Sequence, residues 1–405
     1  MFLNQLPEVS IHPALPLLLL TQRKERKKLY FVEGIPFPEN DIWSEASHAL
    51  LVGSNKSGKT YLLHYLIVKM VTDERYTSTS KGWNKNTTRT IFYLADFKWE
   101  SLNLLTALPE DKVVLHIPEG FELKIRDSAK LQDEYREDIE HIIDVLPSIT
   151  RKHKSVSELI ENFEEKKVNI IGDDALLRER GEEYSQVQSQ FFWKLFEELV
   201  MKTKVLDLSP ATFFYDEGGN YLPAHGKGYR KGIERQSSSI SNLLRKSRSA
   251  FMNNIFSALS YNDLYSDIRS IIDVTVFLAQ TLNELGKIAE SPLLRALNTS
   301  LNLFKKVSSE GAGQYIETMR SKYSLGFYYT RTWGDAFAVN IPHLQTLDGR
   351  PYRTFLIPAY FEGDKKPNEI YADIKKSSGR KKKEIITDVP VEDIFGEDEN
   401  EEEVS

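Results

Sequence analysis

The sequence predicts an α/β protein, a mainly parallel sheet flanked by helices. Short apolar runs alternate with helix-length segments along most of the 405 residues. A glycine-rich loop joins one of these runs to a helix, and two later runs end directly in acidic residues. Crossover helices between parallel strands require this alternation, and parallel sheets collect functional groups at the carboxyl ends of their strands.

The elements follow in order. Residues 1–45 read as a β-containing lead-in, with a strand at 28–32 (KLYFV). Residues 14–20 are apolar but too short to span a bilayer, and they carry a proline. No basic segment precedes them and no small-residue cleavage site follows, so a signal peptide is not expected. Residues 49–52 (ALLV) form a buried strand, and 60–70 form the helix after the glycine-rich loop. A polar loop at 76–89 leads to a strand at 90–95, and another strand is expected at 112–117. The block 121–205 is charged and helix-favouring, and it reads as a helical insertion. Its last helix carries Val187, Phe191, Phe192, Leu195, Phe196 and Leu199 on one stripe, the pattern of a face buried in its own domain. Strands at 211–215, 254–259 and 273–278 enclose a basic helix at 237–249. The segment 286–330 reads as helical, and 326–341 as a terminal hairpin. The domain organisation is therefore a lead-in (1–45), an α/β body (46–345) and a C-terminal extension (346–405). That extension ends in a basic cluster at 375–383 and an acidic tail, opposed charge blocks that predict disorder.

Composition narrows the chemistry. The formal net charge is −6, and the six acidic residues of the last twelve account for that excess, so the body is close to neutral and any basic surface is local. The chain has no cysteine, which excludes disulfides, iron–sulfur clusters and cysteine-ligated zinc. The eight histidines show no metal-ligand spacing, and no nucleophile–histidine–carboxylate set stands out. The expected location is cytoplasmic, without an integral membrane segment.

Residues Gly53, Ser54, Asn55, Lys56, Ser57, Gly58, Lys59 and Thr60 match the phosphate-binding loop G-x-x-x-x-G-K-[ST]. The glycines let backbone N–H groups approach phosphate oxygens, Lys59 supplies a charge for the β- and γ-phosphates, and the Thr60 hydroxyl is a Mg²⁺ ligand. The helix that follows points its dipole at the same phosphates. The ligands implied are ATP and Mg²⁺. Hydrolysis needs a second acidic site, and Asp216 and Glu217 supply it directly after an apolar strand. Asp216 is suited to hold Mg²⁺ and Glu217 to polarise the attacking water. Arg245 and Arg248 lie three apart on the basic helix, where they can meet DNA phosphates or a neighbouring subunit's nucleotide. The basic, glycine-containing segment 227–235 is a further candidate for DNA contact.

The order of these motifs resembles the HerA/FtsK family of DNA-pumping ATPases. Three passages carry the likeness: the strand ending in Asp96-x-Lys98, the strand ending in Asp216 and Glu217, and the basic helix followed by two strands. The resemblance covers residues 45 to 280 and implies a RecA-like P-loop NTPase fold. It also implies a ring oligomer, a hexamer, that moves double-stranded DNA for viral packaging or plasmid transfer or segregation. A capsid, relaxase or membrane-pore partner would then be expected, and Arg248 would act as an arginine finger. The family places a glutamine after the strand that follows Asp216, whereas residues 257–260 here read SALS. Ser257, Ser260, Asn262 and Gln280 are the alternatives for sensing the γ-phosphate. Two other functions fit parts of the pattern: a Zot-like phage-assembly ATPase, and a nucleotide-dependent switch or scaffold that does not pump.

Overall fold

The computed structural model describes residues 37, 47–72, 90–96, 98–127, 133–179, 191–192, 194–200, 211–221, 244–248, 252–264, 266–278, 325–330 and 336–365. The strand expected at 28–32, the basic segment 227–235, Val187, Gln280, residues 286–324 and the charged tail lie outside them. In chain order the described elements begin with β1 (His48–Val52), α1 (Lys59–Thr72), β2 (Thr90–Leu94), β3 (Val113–Pro118) and β4 (Glu122–Ile125). They continue with α2 (Arg136–Ile149), β5 (Thr150–His153), α3 (Val156–Asn162), β6 (Val168–Ile171), α4 (Asp173–Glu179) and β7 (Ala211–Tyr215). The last are β8 (Asn253–Ala258), α5 (Ser266–Ile271), β9 (Val274–Phe277), β10 (Leu325–Thr330), β11 (Ala336–Asn340) and β12 (Ala359–Glu362).

Ten strands form one sheet in the order β11-β10-β9-β1-β8-β7-β2-β6-β3-β5. The run from β9 to β5 is parallel throughout, and the β10–β11 hairpin adds two antiparallel strands beside β9. β1, which carries the glycine-rich loop, sits between β8 and β9, and β7 sits between β8 and β2. This is the mainly parallel, helix-flanked sheet that the alternation in the sequence predicts. A strand flanked on both sides and covered on both faces has no polar side, which is why residues 49–52 read as an unbroken apolar run. Ala49, Leu50, Leu51 and Val52 are fully buried. A leucine in such a position contributes about 1.5–3 kcal/mol through burial alone.

α1 packs on this sheet with ten of its fourteen residues buried, from Lys59 to Val71. The described residues of 191–200 are helical, and Phe191, Phe192, Leu195, Phe196 and Leu199 are buried. Phe196 meets Phe213 edge to face at 5.1 Å and Phe192 meets Tyr215 at 5.6 Å. The apolar stripe is therefore core packing against β7, as expected.

The block expected to be a helical insertion is only partly helical. It holds α2, α3 and α4, but it also contributes β5 and β6 to the main sheet and β4 to a two-stranded sheet with β12. The sheet thus runs through the block instead of stopping before it. The start of the C-terminal extension is also part of the body. Leu347 N donates to Thr106 O, and Ile357 N donates to Lys98 O.

Candidate active site

Because β1, β2, β7 and β8 are parallel neighbours, their carboxyl ends bring four sequence-distant segments to one edge. The glycine-rich loop leaves β1 there. Gly53 is buried, and a Cβ on it would lie 2.1 Å from Ser57 Oγ and 3.0 Å from Leu278 Cβ, so a side chain there would displace Ser57. Gly58 has φ +93° with open space around it, so conformation and not room makes glycine suitable there. Lys59 is buried, and its ammonium donates to Gly53 O (2.8 Å) and Ser54 O (3.0 Å) across the loop. Burial lowers its pKa, while the charges of Asp216 and Glu217 act in the opposite direction.

Thr60 Oγ1 donates to Asp216 Oδ2 at 3.3 Å, which joins the start of α1 to the end of β7. Ser257, the penultimate residue of β8, is fully buried; its hydroxyl donates to Asp216 Oδ1 (2.7 Å) and accepts from Glu217 N (2.9 Å). One hydroxyl therefore orders both acidic residues. Glu217 adopts a left-handed backbone, φ 57° and ψ 58°, an uncommon conformation for a residue with a side chain. Its carboxylate accepts from Lys98 Nζ at 2.8 Å, and the same ammonium is 3.5 Å from Asp96 Oδ2. Burial alone would depress the Lys98 pKa. The hydrogen bond to Glu217 and the charges of Asp96, Glu217 and Asp216 outweigh it and raise the pKa.

Glu100 completes the acidic group. Its carboxyl hydrogen-bonds the Thr60 side chain, and burial followed by the Asp216 charge raises its pKa. Sequence reasoning missed Glu100, although its place four residues after Asp96 at the end of β2 puts it at the shared edge. Lys98 was seen only as part of a motif, and no function was attached to it.

Oxygen donors from Thr60 and Asp216 at one point suit Mg²⁺, which takes one or two protein oxygens and completes its shell with waters and substrate phosphates. Among the described residues no group of three His, Cys, Asp or Glu side chains is arranged to hold a metal by itself.

Other expected residues lie elsewhere. Asn55 and Lys56 are exposed at the tip of the loop, and Lys56 is left-handed with φ 61°. Ser260 accepts from Asn262 N in a local cap, and Asn262 accepts from Arg269, so of the described alternatives only Ser257 reaches the acidic pair. Arg245 is exposed. Arg248 is at the opposite, amino-terminal edge of the sheet, where it donates to Ile271 O and Asp273 Oδ2, both at 2.6 Å. Asp273 in turn accepts from His48 N at the start of β1. Arg248 thus ties α5 and the entry to β9 within its own chain and is remote from its own phosphate loop.

No family model matches the chain, and no curated protein matches it. Several solved structures resemble it in outline. One is the genome packaging NTPase B204 from Sulfolobus turreted icosahedral virus 2 in complex with ATP-gammaS, at 14% identity and TM-score 0.38, covering 73% of this chain and 98% of that one. Another is the bacterial conjugative coupling protein TrwBdeltaN70, at 10% identity and TM-score 0.42, covering 86% and 94%. A third is the N-terminal domain of zonular occludens toxin from Neisseria meningitidis, at 11% identity and TM-score 0.31, covering 81% and 99%. Likenesses this distant carry no functional argument; the arrangement of side chains at the sheet edge does. No helix among the described residues is long and apolar enough to cross a membrane.

Proposed function

We propose that this chain hydrolyses ATP and uses the energy, as a ring-shaped oligomer, to move double-stranded DNA. The observation that carries the hydrolytic part is the Thr60–Asp216–Ser257–Glu217 arrangement beside Lys59. It supports reading Thr60 and Asp216 as Mg²⁺ ligands and Glu217 as the general base beside a phosphate-binding loop. Lys59 would leave its loop carbonyls for the β- and γ-phosphates, and Thr60 with Asp216 would hold Mg²⁺, which shields phosphate charge when bound. Glu217, fixed through its amide by Ser257, would take the proton of the attacking water.

The DNA-moving part rests on the HerA/FtsK-like order of the motifs and on the local basic surface, of which Arg245 and Lys246 are exposed described members. A pump that passes any sequence must grip phosphates, so its binding falls steeply with salt and depends little on sequence. The test is ATP turnover by the full chain with and without duplex DNA. Stimulation by duplex at low salt, lost in Lys59→Ala, is expected. Turnover indifferent to DNA at every salt concentration would leave an ATPase without this role.

A second reading has a specific observation in its favour. The Glu217 carboxylate is already engaged by Lys98, and residues 257–260, where the family has a glutamine, read SALS. A nucleotide-dependent switch that hydrolyses slowly would show the same arrangement, and its turnover would stay low with DNA present.

A further inference from the structure

The proposed general base is bonded to a lysine that the hydrolytic scheme does not use. Lys98 Nζ lies 2.8 Å from Glu217 Oε1 and 3.5 Å from Asp96 Oδ2. A carboxylate held this closely by an ammonium is a poor proton acceptor, because the ion pair favours its charged, unprotonated form. For Glu217 to act, Lys98 must have somewhere else to go.

The turn that carries Lys98 is firmly anchored. Trp99 N donates to Asp96 O at 3.0 Å, and Lys98 O accepts from Ile357 N at 3.0 Å. The Trp99 ring is buried against Phe361, 5.4 Å between centroids. The pairing of Leu94 with Tyr215 then sets the end of β2 alongside the end of β7, so the ammonium faces Glu217 from the adjacent strand. With its backbone fixed, only the flexible side chain of Lys98 is left to change partner. Both Trp99 (φ 53°) and Glu217 (φ 57°) have left-handed backbones, and such strained residues concentrate at switch regions.

The site also has an anion in common for its two cations. Lys98 is close enough to Lys59 for its charge to disfavour the protonated form of Lys59. Two ammonium groups that repel each other across a phosphate-binding loop are both relieved by a phosphate between them. A terminal phosphate offers nearly two negative charges and three oxygens, against one charge on Glu217. We propose that Lys98 is a γ-phosphate-binding residue that pairs with Glu217 until a nucleoside triphosphate draws it away and releases Glu217 as base. This rests on the reading of the site as an ATPase. It gives the chain a γ-phosphate sensor in the turn after β2, in a protein whose β8 carries Ser257.

The test is equilibrium binding of Mg²⁺-ATPγS and Mg²⁺-ADP to the full chain, together with steady-state hydrolysis of ATP. Lys98→Met is expected to lower the preference for ATPγS over ADP about tenfold or more, the scale of one lost hydrogen bond to a charged group. Lys98→Arg, which keeps the charge, is expected to restore part of that preference. Glu217→Gln removes the competing carboxylate charge, so it is expected to raise the ATPγS preference while stopping hydrolysis. This arm remains decisive if Lys98→Met does not fold. Equal weakening of both nucleotides in Lys98→Met, or an unchanged preference in Glu217→Gln, would make Lys98 a structural partner only and overturn the inference. A wild-type chain that bound neither nucleotide would instead overturn the underlying reading of the site.

Discussion

Ser257 shows how much one side chain settles here. Its hydroxyl is shared between Asp216 Oδ1 and Glu217 N in a fully buried position. Ser257→Ala would leave a buried acceptor and a partly buried amide each short of one partner, a cost of about 1–3 kcal/mol. The expected signature is a lower urea midpoint with kcat reduced more than KM, since Lys59 and the loop are untouched; an unchanged kcat would show that Glu217 is ordered by other contacts. Arg248 calls for the opposite balance. It binds Ile271 O and Asp273 in its own chain, and its side chain is 39% exposed. Arg248→Ala is therefore expected to cost about 1 kcal/mol in denaturant unfolding while ATP turnover per folded molecule holds. Lost turnover at unchanged stability, rescued on mixing with Lys59→Ala, would return Arg248 to a role across a subunit boundary. The loop motif and the Asp216–Glu217 pair, which the structure brings to one edge, could be read from the sequence because the chemistry proposed for them fixes residue types at short spacing. Ser257, Lys98 and Glu100 acquire meaning only when β2, β7 and β8 become neighbours, and no local spacing encodes that adjacency.

At the level of elements, the C-terminal segment acts as a strap over α1, the helix that follows the glycine-rich loop. Leu344 N donates to Tyr61 OH on α1, and Asn103 Nδ2 donates to Phe355 O. Tyr352 OH is 2.6 Å from His64 Nδ1, and the other ring nitrogen of His64 is 3.1 Å from Tyr93 OH on β2. This buried chain joins the strap, α1 and β2. Tyr352→Phe would break it at one end and leave a buried ring nitrogen unpaired, so a loss of about 1–3 kcal/mol in urea unfolding is expected. A variant as stable as the wild type would mean that a water replaces the hydroxyl. The strap was hidden in the sequence because it has little regular structure and its contacts are with residues more than 200 positions away. β5 and β6 were missed for a different reason. β5 reads TRKH on the sheet edge, where charged residues guard against further pairing, and β6 is a four-residue run beside a charged turn. The charged, helix-favouring segments on either side set the reading of the whole block, although VNII itself is rich in β-branched residues.

On the scale of the whole molecule, the buried histidines set how the fold responds to acid. Burial lowers the pKa of His64 to about 3 and that of His116 to about 4. His48 is also lowered to about 4, first by burial and then by the Arg248 charge. Unfolded, all three return to about 6.5. Between about pH 6.5 and 4 the unfolded chain therefore binds protons that the folded chain refuses, and stability falls as pH falls through that window. Each group contributes about 1.4 kcal/mol per pH unit at full effect, so three together approach about 4 kcal/mol per unit. His153 acts the other way. Burial works against its protonation, but the charge and hydrogen bond of Asp173 at 3.0 Å raise its pKa. Its contribution is complete below about pH 6.5 and is lost as pH rises through the folded-state value. The three lowered histidines against the raised His153 and Glu100 predict a net loss of stability on acidification, measurable as a urea midpoint that drops from pH 7 to pH 5. Proton uptake on unfolding at pH 5.5 should approach three per chain, less whatever the folded chain gains at His153 and at the raised Glu100 carboxyl. A flat midpoint across that range would mean that His48, His64 and His116 are already charged in the folded protein. The polar chain through His64 could not then be the neutral one that joins strap, helix and sheet.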